Sequence, residues 1–333
     1  MTPTNKQVLL ASRPDGWVKE SDFRIAETPT PTPSEGQVLL KTLYLSLDPY
    51  MRGAMNEKRA YGTPLNLGDV MVGEGIGEVV ESKNPRFKIG DTVAAYTGWQ
   101  QYAVSDARNL RPVDTKLLPA SVYLGVVGMP GVTAWYGLLK IGEPKPGETV
   151  VVSAASGAVG SVAGQIAKIK DCRVIGIAGG KQKCDYVVND LGFDTCIDYR
   201  SSDWYDALAA ATPKGIDVYF ENVGGPLLDA VLARSNAFAR IPLCGMIAEY
   251  NATDRYGIRN LISAVGNRIK LQGFIISDHF AIWPEALAQL AQWVREKKIK
   301  YRETVVEGLE NAPSAFIGLF KGENFGKQIV KVA

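Results

Sequence analysis

A glycine-rich turn between an apolar run and a helical pattern constrains this chain more than any other stretch: Glu148-Thr-Val-Val-Val-Ser-Ala-Ala-Ser-Gly157-Ala-Val-Gly160-Ser-Val-Ala-Gly164-Gln-Ile-Ala-Lys168. Thr149 to Val152 is apolar and β-branched, bounded by Pro146 and Gly147, and reads as a buried parallel strand. A helical pattern begins near Val159, with Val162, Ile166 and Ile169 on one face. At such a turn the first helical N–H groups lack backbone partners and stand at the positive end of the helix dipole, so a phosphate can sit there. Gly157 and Gly160 would let the backbone approach a pyrophosphate, and Gly164 would let the helix pack closely on the strand.

A glycine trio also serves plain helix packing, so the context decides. Downstream, strand and helix patterns alternate: Arg173 to Ala178, a helix from Lys181 to Leu191, Thr195 to Ile197, a helix from Asp203 to Ala211, and Ile216 to Phe220. Leu227 to Leu232, Arg240 to Leu243 and Lys270 to Phe274 follow. This is the pattern of a doubly wound parallel sheet, whose ligand lies at the carboxyl ends of its strands. In NAD sites an acid about 20 residues past the glycines takes the ribose 2′-hydroxyl, whereas NADP sites supply a cation. Here the second strand ends Ile177-Ala-Gly-Gly180 without an acid, and Lys181 and Lys183 follow, which favours NADP. The alternative is that Lys181, Gln182 and Lys183 are only a solvated helix start.

The chain has 333 residues, 46% hydrophobic and 22% charged, enough for two domains with their own cores. Net charge is +2 with the signs interspersed, and no basic patch marks a nucleic-acid face. The amino terminus lacks an apolar signal core, and no run approaches about 18 apolar residues, so a cytoplasmic protein that does not span membranes is expected. Cys172, Cys184, Cys196 and Cys244 form no Cys-x-x-Cys pair, and His279 is the only histidine. No recognisable zinc-ligand spacing results, and no Ser-His-Asp or Cys-His triad unless His279 serves it. The cysteines are expected to be reduced, buried small hydrophobes of the second domain.

Residues 1 to about 125 have another texture. Strand patterns at Gln7 to Leu10, Gln37 to Tyr44, Gly77 to Glu81, Thr92 to Tyr96 and Trp99 to Val104 are separated by Pro- and Gly-rich turns, as in a partly closed β-barrel. Gly73-Glu-Gly75-Ile-Gly77 runs into the strand Glu78 to Glu81 and not into a helix, so it reads as tight backbone packing and not as a phosphate loop.

Gly73-Glu-Gly75-Ile-Gly77-Glu-Val79, Gly90-Asp91-Thr-Val93 and Ala154-Ala-Ser-Gly157-Ala-Val-Gly160 together resemble the medium-chain dehydrogenase/reductase superfamily. Five further motifs narrow the resemblance: Leu45-Ser-Leu-Asp48-Pro49-Tyr50-Met51-Arg52-Gly53, Gly128-Met129-Pro-Gly131-Val-Thr133-Ala-Trp135, Glu221-Asn222-Val-Gly224-Gly225, Cys244-Gly-Met-Ile-Ala-Glu-Tyr250-Asn251 and Gly322-Glu-Asn324-Phe-Gly326-Lys327. They are similar to the zinc-independent branch of leukotriene B4 dehydrogenase/prostaglandin reductases, plant alkenal double-bond reductases and bacterial curcumin reductase. The likeness spans nearly the whole chain.

The resemblance implies an α/β protein: a GroES-like β-barrel catalytic domain from residues 1–125 and 297–333, and a doubly wound Rossmann NADP-binding domain from residues 126–296, with the active site in the cleft between them. It implies that Gly157, Ala158, Val159 and Gly160 hold the pyrophosphate of NADPH, and that Lys183 and Tyr199 contact the adenosine 2′-phosphate. Met129, Thr133, Asn222, Cys244, Gly245, Tyr250, Phe274, Ile275, Ile276 and Asn324 would line the cofactor site; Tyr50, Met51, Arg52 and His279 would meet substrate. The helix start Gly180-Lys-Gln-Lys183 departs from the Ser-x-Glu-Lys form common in the family. Plainer readings stand beside several of these: Tyr199 as a core aromatic, Arg52 as a loop brace, His279 as the holder of a local hydrogen bond. Trp99, Tyr61 and Trp283 could widen an apolar pocket. A homodimer joined through edge strands is also implied.

The reaction compatible with this set is reduction of a carbon-carbon double bond conjugated to a carbonyl. Hydride from NADPH goes to the electron-poor β-carbon, charge moves to the carbonyl oxygen, and a donor is needed there. Tyr250 is the expected donor, because a phenol with a pKa of about 10 stays protonated at neutral pH; its plainer reading is a wall aromatic. The expected substrate is a small hydrophobic α,β-unsaturated aldehyde or ketone. The rivals are an NADPH:quinone oxidoreductase and a non-catalytic NADP-binding module.

Overall fold

The computed structural model describes residues 4–57 and 63–333. The chain forms two compact units, residues 126–302 and residues 1–125 with 303–333.

In the unit of residues 126–302, six strands form one parallel sheet in the order Thr195–Asp198, Arg173–Ala178, Thr149–Ser153, Ile216–Phe220, Ser235–Leu243, Lys270–Gly273. Every residue of Thr149–Ser153 is buried, as its unbroken β-branched run requires of a strand covered on both faces. The strand order reverses between Thr149–Ser153 and Ile216–Phe220, and helices Gly160–Ile169 and Gly225–Arg234 leave from their carboxyl ends. That reversal is where a doubly wound sheet opens a crevice for a ligand. Val151, Ile175, Ile177, Ile197, Leu228, Val231 and Ile241 form the core on one face.

Gly164 meets an aromatic ring that its place in the glycine trio does not reveal. A Cβ there would stand 1.8 Å from the Phe193 ring, so the missing side chain makes room for Phe193, which follows the helix Lys181–Asn189. The segment after helix Trp283–Arg295 also differs from the expected return at residue 297. Lys300 N–H donates to Gln165 Oε1 at 2.8 Å and Gln165 Nε2 donates to Lys300 O at 2.8 Å, which ties this stretch to the helix Gly160–Ile169, and the unit runs on to residue 302.

In the other unit, strands Glu303–Glu307, Lys327–Lys331, Val38–Ser46, Glu74–Ser82, Thr92–Tyr96 and Arg111–Pro112 pair in that order, and Tyr102–Ser105 pairs with Val38–Ser46. A separate hairpin pairs Thr4–Leu10 with Phe23–Pro29. Gly75 and Gly77 lie inside a strand, where a Cβ on Gly75 would meet Thr97 Oγ1 at 2.5 Å; these glycines serve backbone packing. The core centres on Trp99, stacked on Phe23 at 5.6 Å and edge-on to Phe316 at 5.5 Å. Trp99 is fully buried, so it builds this core and widens no pocket. Tyr61 lies outside the described residues.

Candidate functional site

The glycine turn begins with Ala154 in the left-handed region at φ 50°. Gly160 opens the helix Gly160–Ile169, and a Cβ on it would stand 2.4 Å from Ala154 O and 3.0 Å from Ser153 O. Only glycine lets the helix start this close to the strand end. Gly157, Ala158 and Val159 are half-buried, and no side chain caps the helix, so its N-terminal end suits an anion.

Next to it, strand Arg173–Ala178 ends at Gly179 and Gly180, the latter at φ 92°. Asp198 Oδ1 accepts from Gly180 N at 2.8 Å and from Arg200 N at 3.0 Å, so this acid is turned onto backbone. Above the turn lie Tyr199 and Arg200: a Cβ on Gly179 would stand 2.9 Å from Tyr199 Oη and 3.0 Å from Arg200 Nε. Tyr199 is 43% exposed, which removes its reading as a core aromatic. Lys183 is half-buried in the first turn of the helix Lys181–Asn189, and burial together with the Arg200 charge lowers its pKa. Two cations forced near each other over a glycine turn fit a phosphate dianion, which would relieve their repulsion. Arg200 was not singled out from sequence; its signal was the Asp-Tyr-Arg ending of the third strand.

At the reversal, Asn222 donates to Ser153 O through Nδ2 at 2.8 Å and to Ser153 Oγ through its backbone N at 2.8 Å. The loop of residues 244–250 is hung on this turn. Glu221 O accepts from Cys244 N and Gly245 N, Asn222 O from Ile247 N and Val223 O from Ala248 N, all at 2.9–3.2 Å. Tyr250 closes the loop: its Oη accepts from Met246 N at 3.2 Å and lies over Gly245, where a Cβ would be 3.1 Å away. Burial pushes the Cys244 thiol up to about 12, so it is no nucleophile at neutral pH. Cys244, Cys184 and Cys196 are only half-buried, against the expectation of four buried hydrophobes; Cys172 alone is buried.

A third group forms on helix Met129–Tyr136. Thr133 is buried and its hydroxyl donates to Met129 O at 2.7 Å, one turn back in its own helix. Tyr136 stacks on His279 with centroids 4.2 Å apart and lies against Phe274 at 5.6 Å. The His279 ring is thus positioned by an aromatic face, a contact that sequence spacing does not reveal. Ile275 is exposed, whereas the Ile276 side chain is buried and its carbonyl accepts from Trp283 Nε1 at 3.4 Å.

The remaining candidates lie in the first unit in chain order, residues 1–125 with 303–333. Tyr50 Oη stands 3.3 Å from Tyr96 Oη, and burial, then Tyr96, Asp48 and Glu74, raise its pKa well above the usual phenol value. It therefore stays a hydrogen-bond donor throughout the neutral range. Met51 and Arg52 correct the substrate expectation. Met51 is fully buried in the Trp99 core. Arg52 is 4% exposed and donates to Asn56 Oδ1 at 2.5 Å, Gly16 O at 3.0 Å and Pro14 O at 3.3 Å, bracing two loops. Asn324 donates to Gly326 O at 2.8 Å and shapes its own turn. Among the described residues no three or more His, Cys, Asp or Glu side chains are grouped to hold a metal ion.

A doubly wound sheet with a glycine turn, in one chain with a β-rich unit, defines a class of two-domain oxidoreductases. Residues 6–113 match the family model of the N-terminal domain of oxidoreductase, and residues 158–292 match that of zinc-binding dehydrogenase. The chain is 50% identical to the NADPH-dependent curcumin reductase of Escherichia coli, over 99% of this chain and 97% of the relative. It is 42% identical to a 2-alkenal reductase (NADP(+)-dependent) of Nicotiana tabacum, over 99% and 98%. Among solved structures, CurA of Vibrio vulnificus in complex with NADPH superposes with a TM-score of 0.95 at 49% identity, covering 98% of this chain and 99% of that one. The chain belongs to the zinc-independent branch of the medium-chain dehydrogenase/reductase superfamily.

Proposed function

We propose that the protein is an oxidoreductase that uses NADPH to reduce the carbon-carbon double bond of hydrophobic α,β-unsaturated aldehydes and ketones. The observation that carries this reading is the 244–250 loop, which holds the Tyr250 phenol by a backbone N–H in a chain 50% identical to an NADPH-dependent curcumin reductase. NADPH, when bound, supplies the hydride for the β-carbon. The chain's own residues do the rest. Gly157 to Gly160 receive the pyrophosphate at the helix N-terminus, and Lys183, Tyr199 and Arg200 receive the 2′-phosphate. Asn222, with both its amide and its backbone N bound to Ser153, orders the turn beside them.

Tyr250 donates its O–H to the carbonyl oxygen as negative charge moves onto it. The Met246 N–H bond to the phenol oxygen withdraws electron density and makes the phenol a better donor. His279 and Tyr136, with Phe274, offer an aromatic wall for the apolar part of the substrate. The balanced reaction consumes one enone, one NADPH and one proton, and yields the saturated carbonyl and NADP.

The protein acts as a cytoplasmic homodimer in this reading. The edge strand Lys270–Gly273 and the neighbouring exposed Leu261, Ile262 and Val265, the last 76% exposed, support that association. No helix among the described residues is long and apolar enough to cross a membrane.

The test is NADPH consumption against a medium-chain 2-alkenal, an aryl enone, a para-quinone and a saturated aldehyde, each repeated with NADH. Enone turnover to the saturated carbonyl with a strong NADPH preference is expected, and Tyr250→Phe slows it about 10²-fold while NADPH affinity stays nearly intact. Oxidation of NADPH by the quinone alone would replace this reading with that of a quinone oxidoreductase.

A further inference from the structure

Glu221 ends the run Ile216-Asp-Val-Tyr-Phe220 at the sheet reversal and is fully buried. Its Oε1 accepts from Val223 N at 2.6 Å and from Ser153 Oγ at 2.9 Å, while Oε2 is buried without a hydrogen-bond partner. Tyr219 lies beside it, also fully buried, and its Oη has no partner either. The groups facing Glu221 are Ser153 from the central strand, Tyr219 from its own strand, Cys244 from the end of Ser235–Leu243, and the N–H groups of Val223 and Gly224 from the turn. None is a cation. An ionised carboxylate in this place would be desolvated with nothing to pair it, and such groups take up a proton instead.

We propose that Glu221 is a positioning residue that works as an uncharged acid, fixing the 221–225 turn and through it the loop that carries Tyr250. A proton on Oε2 removes the uncompensated charge and lets that oxygen donate as well as accept, with the Tyr219 hydroxyl among the groups that face it. Ser153 Oγ can then accept from Asn222 N at 2.8 Å while its hydrogen stays on Glu221 Oε1. The effect reaches Tyr250 through backbone. Glu221 O holds Cys244 N at 2.9 Å and Gly245 N at 3.2 Å, Asn222 O holds Ile247 N at 3.1 Å, and Met246 N, between these anchors, holds Tyr250 Oη. Burial raises the carboxyl pKa, in keeping with a proton retained at neutral pH. Its loss at higher pH places a bare charge under the turn and disorders the loop.

For its kinetic arm the inference rests on the enone-reductase reading, so the test has an arm that does not. The infrared difference spectrum of the ligand-free native protein minus Glu221→Gln, at neutral pH, should contain the carbonyl stretch of a protonated carboxylic acid. A difference holding only carboxylate bands overturns the proposal, whether or not any enone is turned over. In the kinetic arm, the conservative Glu221→Gln rescues turnover at neutral pH and carries it to higher pH than the native enzyme, because the amide cannot ionise. Glu221→Ala lowers kcat by at least about tenfold at every pH, the scale of a small misplacement of a reacting group. Glu221→Gln as impaired as Glu221→Ala, or declining at the same alkaline pH as the native enzyme, also overturns it. Should Glu221→Ala fail to fold, the infrared spectrum and the Glu221→Gln pH profile decide alone. Native protein without enone turnover, but with the protonated-acid band, would sink the functional reading and leave the assignment of Glu221 as an uncharged acid standing.

Discussion

Asp48 in the first unit and Glu221 in the second are both buried carboxyl groups just past a strand end, yet only Asp48 has a cation. Lys327 Nζ lies 2.6 Å from Asp48 Oδ1 and also donates to Leu47 O at 2.8 Å, while the Ser46 hydroxyl binds the other carboxylate oxygen. That pair joins the loop after Val38–Ser46 to the strand Lys327–Lys331, at the far end of the sequence. A charge pair is suited to such a join, because either partner alone in the interior is costly and the two segments cannot part cheaply. Glu221 bonds to its own turn and the adjacent strand through groups that carry no charge. A neutral acid can donate as well as accept, and so shapes a turn where a carboxylate could only accept. Lys183 and Arg200 are a third case, a pair of like charges near each other, where burial and then the Arg200 charge lower the Lys183 pKa.

The sharpest break in this comparison is Lys327→Met. Removing the cation leaves Asp48 buried and uncompensated, and should cost about 3–5 kcal/mol in denaturant unfolding, with most of it recovered in the double variant Asp48→Asn, Lys327→Met. Recovery in the double variant is what separates a lost pair from lost packing. Lys183→Ala should act on binding and not on folding. NADPH affinity falls by about 1.5–3 kcal/mol, the worth of a hydrogen bond to a charged group, while NADH affinity, read by the same calorimetric titration, hardly changes. An equal loss for both nucleotides would move Lys183 away from the 2′-phosphate.

The smallest effect concerns Glu221 and pH. Its folded pKa is raised by burial, so the native state keeps a proton that the unfolded chain releases above about pH 4.3. The unfolded state then binds fewer protons, and stability from this group is full below that pH and declines as pH rises to the folded pKa, by at most about 1.4 kcal/mol per pH unit. Glu221→Gln should flatten that slope in a series of thermal unfolding curves. An unchanged slope would make Glu221 as ionised as Asp48 is paired, and the contrast between the two units would be lost.

Most of the architecture was legible from residue order, because strand and helix periodicity and turn residues act within a few positions. The β-branched run before Gly157 and the Ile, Val and Ala of the flanking strands announced a doubly wound sheet, and Gly160 sits where its spacing placed it. The strand Phe23–Pro29 is not legible in the sequence, since its face is mostly exposed and its partner Thr4–Leu10 is reached only through the connection of residues 11–22. Among the candidate residues, Lys183 and Tyr199 follow from motif and strand end, and Arg200 stands one residue beyond that end, whereas the stacking of Tyr136 on His279 emerges only from contact. Met51 and Trp99 carried the right chemistry for a pocket and were drawn into a core instead.

By itself the sequence determined the sheet, the glycine turn, the bias toward a phosphorylated ribose and the presence of a phenol in the 244–250 loop. Each of these is a local matter of spacing and residue type. Tertiary structure alone decided that Gly164 makes room for Phe193, that Arg52 braces Pro14 and Gly16, that Lys327 meets Asp48, and that Glu221 meets no cation. The reason is that burial and charge pairing depend on which distant segment closes over a side chain, and a residue carries no record of that partner in its own neighbourhood.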